Sequence, residues 1–292
     1  MRRTAILVAI LVAAVGVGAF AQAFTVSYLD GNVELQTAKG WSALNIGDQV
    51  AATATVRISQ QGSLELTRAR TKLTLLKDGV FSIAGLSKAS SASGDGVGNS
   101  ITQKLQTLVT EKPKSSTAGG VRGAQQGTSD VTWVDEGDET RAQAQSLIDS
   151  RKYADAVKML NDAIKTAGTD TDTTELSYLL GVAYYGGGQT AKAYRTLGNI
   201  NPDPGAVWYA RYVILKAQVL VDTQNYSDAL AILTPFISTY PTGAATQVAW
   251  LLSGISQKGL GNPDAAKSAF DSGYQMDPAS DTAKLIDQQR RM

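Results

Sequence analysis

The chain of 292 residues contains no cysteine and no histidine. Those two absences exclude zinc sites of the usual kind, thiol nucleophiles, haem held by an imidazole and every histidine-based catalytic triad. They also exclude a disulfide framework and a lipid anchor on an N-terminal cysteine. Charge of either sign is scarce in excess, since 27 Lys/Arg face 26 Asp/Glu and leave a net charge of +1. There is thus no overall basic field to attract nucleic acid, and no nucleic-acid partner is expected. Hydrophobic residues at 43% and charged residues at 18% describe a globular protein, with length enough for two domains.

The longest apolar run lies at the N-terminus. "MRR" precedes "AILVAILVAAVGVGAF", and Ala21-Gln22-Ala23 supplies a small-x-small cleavage site. Residues 1–23 are therefore expected to be a secretory signal peptide cleaved after Ala23, giving an exported, periplasmic protein that is not a lipoprotein and whose mature form does not span a membrane. The competing reading is an uncleaved single-span anchor.

From Phe24 to Leu86 the hydrophobic period is two. Val56, Ile58, Leu64, Leu66, Leu73 and Leu75 recur on alternate positions, which predicts short strands with one buried face. "FTVSYLDGNVELQT" predicts a hairpin turning at Asp30-Gly31, and "QQG", "RAR" and "KDG" predict the later turns. Gly47-Asp48 predicts a turn closed by the aspartate side chain, and Gly40 a turn ahead of a packed Trp41. Residues 87–118 interrupt the rhythm with Ser/Gly-rich loops around one short amphipathic helix at "ITQKLQTLV"; Val121 and "VTWV" predict closing strands. The run Gly40-Trp41, Leu44, Gly47-Asp48, Val56-Arg57, Ser63, with "VRG" at 121–123, resembles the periplasmic domain of the FecR family. That resemblance covers residues 24–134 and implies a β-rich sensing or partner-binding module. It departs from the family where Ala124-Gln125-Gln126 replaces the usual Thr-x-Phe.

Beyond about Asp135 the pattern becomes helical and repeats. Ala156, Ala193, Ala229 and Ala266 are spaced by 36 or 37 residues, each followed four residues later by Leu160, Leu197, Leu233 or Phe270. About twelve residues before each stands another small residue, Ala144, Gly181, Ala217 or Gly254. A fixed period of this length predicts stacked two-helix units, in which a small residue lets the paired helix come close and a bulky one fills the space beside it. Leu180-Gly181-x-x-Tyr184 with Ala193-x-x-x-Leu197, and Trp250-x-x-x-Gly254 with Ala266-x-x-x-Phe270, resemble tetratricopeptide (TPR) repeats. The resemblance implies four TPR-like helix pairs over 138–292 with a capping helix at 279–291; the first unit is the weakest. The expected fold is thus multidomain, a small all-β FecR-like domain followed by an all-α TPR-type array.

Sites of chemistry are few. "GDGVGN" (94–99) and "YYGGGQTAK" (184–192) lack the Gly-Lys-Ser/Thr ending of a phosphate loop and are expected to be linkers or turns. "TDTDTTE" (169–175) alternates carboxylates but lacks the glycine and distant glutamate of a calcium loop, so a helix-capping role for Thr173 or Thr174 is expected instead. "TRARTK" (67–72) is expected to be a solvated strand edge. No nucleophile, base and oxyanion donor can be assembled, so no catalytic residue, cofactor or metal is expected. Binding is what remains. Ser177, Leu180, Gly181 and Tyr184 make the packing stripe of the second unit, and the TPR resemblance places Tyr178, Val182 and Tyr185 in the groove. The same offset gives Arg211, Ile214 and Gln218 in the third unit. That the tyrosine rings merely cover the core stays open at this stage. The expected role is a non-enzymatic periplasmic scaffold holding a protein or peptide partner, with a cell-envelope component among the candidates. A membrane-anchored FecR-type regulator and a cell-wall glycan-binding or glycan-processing protein are the alternatives.

Overall fold

A computed structural model describes residues 23–69, 71–86, 136–168 and 171–291. The expected signal peptide up to residue 22, the short helix at 101–109, the "GDGVGN" stretch and the closing strands near "VTWV" lie outside the described residues, while Ala23 is the first residue of a strand. The chain divides into two compact units, residues 1–97 and 98–292.

In the first unit, β1 (Ala23–Thr37), β2 (Gly40–Ala43), β3 (Gln49–Ala51), β4 (Thr55–Arg68), β5 (Thr71–Leu75) and β6 (Gly79–Ser82) form one antiparallel sheet. The hairpin expected at Asp30-Gly31 does not form, and neither does the turn at "QQG". Both stretches lie inside two long strands that pair on either side of them, from Thr25 opposite Thr67 to Leu35 opposite Val56, with Asp30 opposite Ser63 and Asn32 opposite Ser59. One residue of β1, Gly31, thus faces three of β4, a bulge that bends both strands together. Gly31 has φ +70°, and a Cβ there would come within 2.7 Å of the Gly62 Cα. The glycine that looked like a turn is instead the point where two backbones cross closely.

The bend folds the sheet onto itself. Ahead of it, β1 pairs with β3 and the far end of β4, which carries β5; beyond it, β1 pairs with β2 and the near end of β4, which carries β6. Phe24, Val26, Leu64, Leu66 and Leu75 from one half meet Val33, Val56 and Ile58 from the other in a single core. The period-two residues thus share one inside face. The β2–β3 turn behaves as its sequence suggests: Gly47 has φ +94°, and the Asn45 N–H donates to Asp48 Oδ2 at 2.8 Å. Trp41 packs under the Arg57 guanidinium, 4.5 Å from the ring centre, while Arg57 donates to Glu34 on the neighbouring strand at 2.6 Å. Of "TRARTK", Thr67 and Arg68 end β4 and Thr71 and Lys72 begin β5, with Arg68 over Phe24 and Lys72 paired with Glu65 at 3.0 Å.

The second unit contains nine helices among the described residues: α1 (Glu136–Asp149), α2 (Tyr153–Thr166), α3 (Thr174–Gly186), α4 (Thr190–Gly198), α5 (Tyr209–Asp222), α6 (Tyr226–Thr239), α7 (Ala244–Gly259), α8 (Pro263–Met276) and α9 (Asp281–Arg290). The first eight make four antiparallel pairs and α9 is the expected cap, begun by Ser280, whose hydroxyl accepts from the Ala283 N–H. The turn inside each pair is built the same way. Arg151, Gly188, Gln224 and Gly261 all have positive φ, and the N–H of each following residue returns to the carbonyl five positions back. This is a Schellman closure of the first helix, repeated four times. The "GGG" at 186–188 belongs to it and is a turn, as expected.

The small-residue rule holds at atomic level. A Cβ on Gly181 would lie 2.6 Å from Leu197, and one on Gly254 would lie 2.3 Å from Phe270. Ala144, Ala156, Ala193, Ala217 and Ala229 are likewise fully buried. A second close contact joins consecutive units. Gly186 faces the Tyr153 ring and Gly259 the Tyr226 ring, and a Cβ on either glycine would lie 2.4 Å from the ring it faces. Units one and three therefore carry the tyrosine, and units two and four the glycine that receives it.

Candidate binding surface of the helical array

First helices of a stacked array line its concave side, which is where a groove was expected. The structure places Tyr178, Val182 and Tyr185 on α3 and Arg211, Ile214 and Gln218 on α5, as the period requires. Five of these six side chains are buried, between 2% and 6% exposed; Arg211 alone is half-buried. The expectation of an open stripe is thus corrected for Tyr178, Val182, Tyr185, Ile214 and Gln218. Ser177 and Tyr184, assigned to packing, are the more exposed pair. The reason is that α3 and α5 are apolar around most of their circumference, and a helix apolar all round is enclosed by neighbours. α3 packs on its own partner α4, on α2 of the preceding unit, and on the first helices α1 and α5. An offset counted from one stripe then finds another packed stripe.

What the buried tyrosines do is visible in their contacts. Tyr178 stacks on Trp208 with ring centres 5.0 Å apart and planes 14° from parallel, and meets Tyr212 edge-on at 6.5 Å. Tyr209 continues the seam to Tyr240, and Tyr240 to Phe236. Burial pushes the Tyr178 hydroxyl up to about 12, with Arg211 opposing and Glu175 adding to the shift. The Tyr212 hydroxyl donates toward the Leu197 carbonyl in the last turn of α4 and the Ile200 carbonyl just beyond it, both at 3.1 Å, and accepts from Lys216 Nζ at 2.9 Å. Tyr185 donates to Asp222 Oδ2 at 2.5 Å, tying the last turn of α3 to the last turn of α5.

Sequence reasoning missed the Trp208 end of this seam. Val207 is 89% exposed, and Trp208 and Tyr209 are half-buried beside Arg211. The signal was the run "VWYARY" (207–212), three aromatics and an arginine at the start of a helix. Of the six residues singled out, the structure brings Tyr178 and Arg211 to this one place.

The capping expected from Thr173 or Thr174 comes from Asp172, whose Oδ1 accepts from the Thr174 N–H at 2.9 Å. Hydrogen bonds from Thr174 hold the Asp172 carboxyl below the usual carboxylate range. Among the described residues there is no group of three or more carboxylates that could hold a metal, and no helix long and apolar enough to cross a membrane.

Comparison with known proteins bears on this unit. No curated protein matches the chain. A solved structure titled "MamA MSR-1 C2" is 20% identical, with 52% of this chain and 83% of that chain covered and a TM-score of 0.41. A MamA mutant is 19% identical, with 52% and 87% covered and a TM-score of 0.40. The tetratricopeptide-repeat family model matches residues 141–199, helices α1 to α4, so the unit that looked weakest lies inside the recognised stretch. Residues 141–199 are a tetratricopeptide-repeat region, and the helix pairs beyond it repeat its turns and its small-residue contacts.

Proposed function

We propose that this protein is a non-catalytic scaffold, exported by its N-terminal segment, that holds a protein or peptide partner against its helical array. The observation that carries the reading is the array itself: stacked pairs matching the tetratricopeptide repeat, with aromatic and arginine side chains half-exposed at the start of α5. Trp, Tyr and Arg bury large area while keeping a hydrogen-bonding end, and they anchor interfaces more often than other residues. The FecR-like reading of residues 24–134 supports a second partner-binding or sensing module in the cell envelope.

Within this reading Arg211 is the residue of the expected set that faces a partner directly. Tyr178, Val182, Tyr185, Ile214 and Gln218 act from beneath, by fixing the helices that present it. A photo-crosslinking side chain placed at Arg211 in cells should capture the partner, whereas the same group at the exposed Lys165 on α2 should not. Equal crosslinking at both positions, or none at Arg211, overturns the reading.

A further inference from the structure

The helical array repeats with a period of two units as well as one. Tyr153 faces Gly186 across the boundary of units one and two, and Tyr226 faces Gly259 across that of units three and four. A Cβ on either glycine would lie 2.4 Å from the ring, so neither boundary can slide without a clash. The same two positions at the middle boundary, between units two and three, hold Thr190 and Asp222. No ring stands at the first and a charged side chain stands at the second. The contact that locks the outer boundaries cannot form at the middle one.

Packing thins at the same place. α4 has 9 residues, against 14 in each of α2, α6 and α8. Pro202 and Pro204 keep the chain from continuing the helix, and residues 199–208 run outside it before α5 begins. α5 packs less closely on α4 than α3 does on α2 or α7 on α6. The first helices α3 and α5 likewise share less packing than α1 with α3 or α5 with α7.

Directional contacts cross the middle boundary at both ends of α3 and α5. At the N-terminal ends Tyr178 stacks on Trp208, and the Tyr212 hydroxyl donates toward the Leu197 and Ile200 carbonyls. At the C-terminal ends, about 15 Å along α5 from Tyr212, Tyr185 donates to the partly buried Asp222 at 2.5 Å. We propose that the array is two rigid blocks, α1–α4 and α5–α9, hinged at this boundary, with the aromatic cluster around Trp208 as pivot and the Tyr185–Asp222 hydrogen bond as latch. The pivot is held by stacked rings and two carbonyl acceptors together. The latch rests on a carboxylate within reach of water, which can take the place of the tyrosine hydroxyl. Because first helices line the concave side of the array, release of the latch widens that side. The hinge belongs to the fold and does not depend on what the array binds.

The chain contains no cysteine, so a pair of introduced cysteines carries spin labels at known places in the full chain. Ser146→Cys on α1 and Lys258→Cys on α7 are exposed positions near the C-terminal ends of first helices, one in each block. Controls within a block are Ser146→Cys with Lys165→Cys, and Ala231→Cys with Lys258→Cys. Double electron–electron resonance should give a cross-boundary distance distribution about twice as broad as either control. Tyr185→Phe and Asp222→Ala remove the latch from its two sides. Each should move the centre of that distribution outward by about 5 Å and leave both controls unchanged, which also shows that the variants fold. A cross-boundary distribution as narrow as the controls, no shift in either variant, or equal movement within a block overturns the proposal.

Discussion

The β unit and the helical unit use glycine for opposite ends. In the helical unit, Gly181 and Gly254 have ordinary helical backbones, and what matters is the missing side chain, because Leu197 and Phe270 occupy that space. In the β unit, Gly31 needs both freedoms at once: positive φ and a backbone approach to Gly62. The first use can be read from sequence, because the bulky partner recurs at a fixed distance. The second cannot, because a turn glycine and a bulge glycine share the same local signature, and only the strand pairing tells them apart.

The largest effect that tests this contrast comes from the core of the helical unit. Leu233→Ala removes a fully buried side chain and should cost about 2–5 kcal/mol. It should lower the helical melt, followed at 222 nm, without altering the β-strand signal. Loss of both signals together would show that the units do not fold as separate bodies.

Alkaline pH gives the next largest. Tyr178 is held up to about 12 in the folded protein against about 10 when unfolded. The folded state therefore keeps a proton that the unfolded state gives up. The stabilisation is complete below pH 10 and is lost as pH rises through 12, by about 2–3 kcal/mol. Chemical denaturation from pH 9 to 12 should show that loss, and Tyr178→Phe should reduce it; an unchanged profile would place the Tyr178 hydroxyl in water.

Smaller effects separate the two uses of glycine. Gly254→Val should cost about 1–3 kcal/mol by overpacking against Phe270, and Phe270→Ala in the same chain should relieve part of it. Gly31→Val should cost about 2–3 kcal/mol, and no single neighbouring truncation should rescue it, because the obstacle is backbone. Gly47→Ala, with φ +94° and nothing within 4 Å, should cost about 1 kcal/mol from backbone strain alone. Urea denaturation of the four variants gives the ranking, and rescue of Gly31→Val by Ile58→Ala would break the distinction.

How much was legible comes down to the same physics. The repeat positions, the "GGG" turn and the alternating strand core were readable, because each is a local period or a single hydrogen-bonded turn. Asp172 was missed as a cap because its bond skips a residue to reach Thr174, where the usual N-cap choices stood closer to the helix. The binding stripe was misread because α3 has no polar face to mark the side turned from the core. Tyr178 and Tyr185 looked available for a partner, since tyrosine suits either place, and only Trp208 and Asp222 across the unit boundary decide where their rings and hydroxyls go.

The measurement that tests the central claim most directly is partner capture by the helical unit alone. A fragment spanning 136–291, expressed without the β unit, should be helical, melt cooperatively and retain the partner captured through Arg211 in the full chain. Capture by a fragment spanning 24–134, with none by 136–291, would contradict the claim and assign the binding to the β unit.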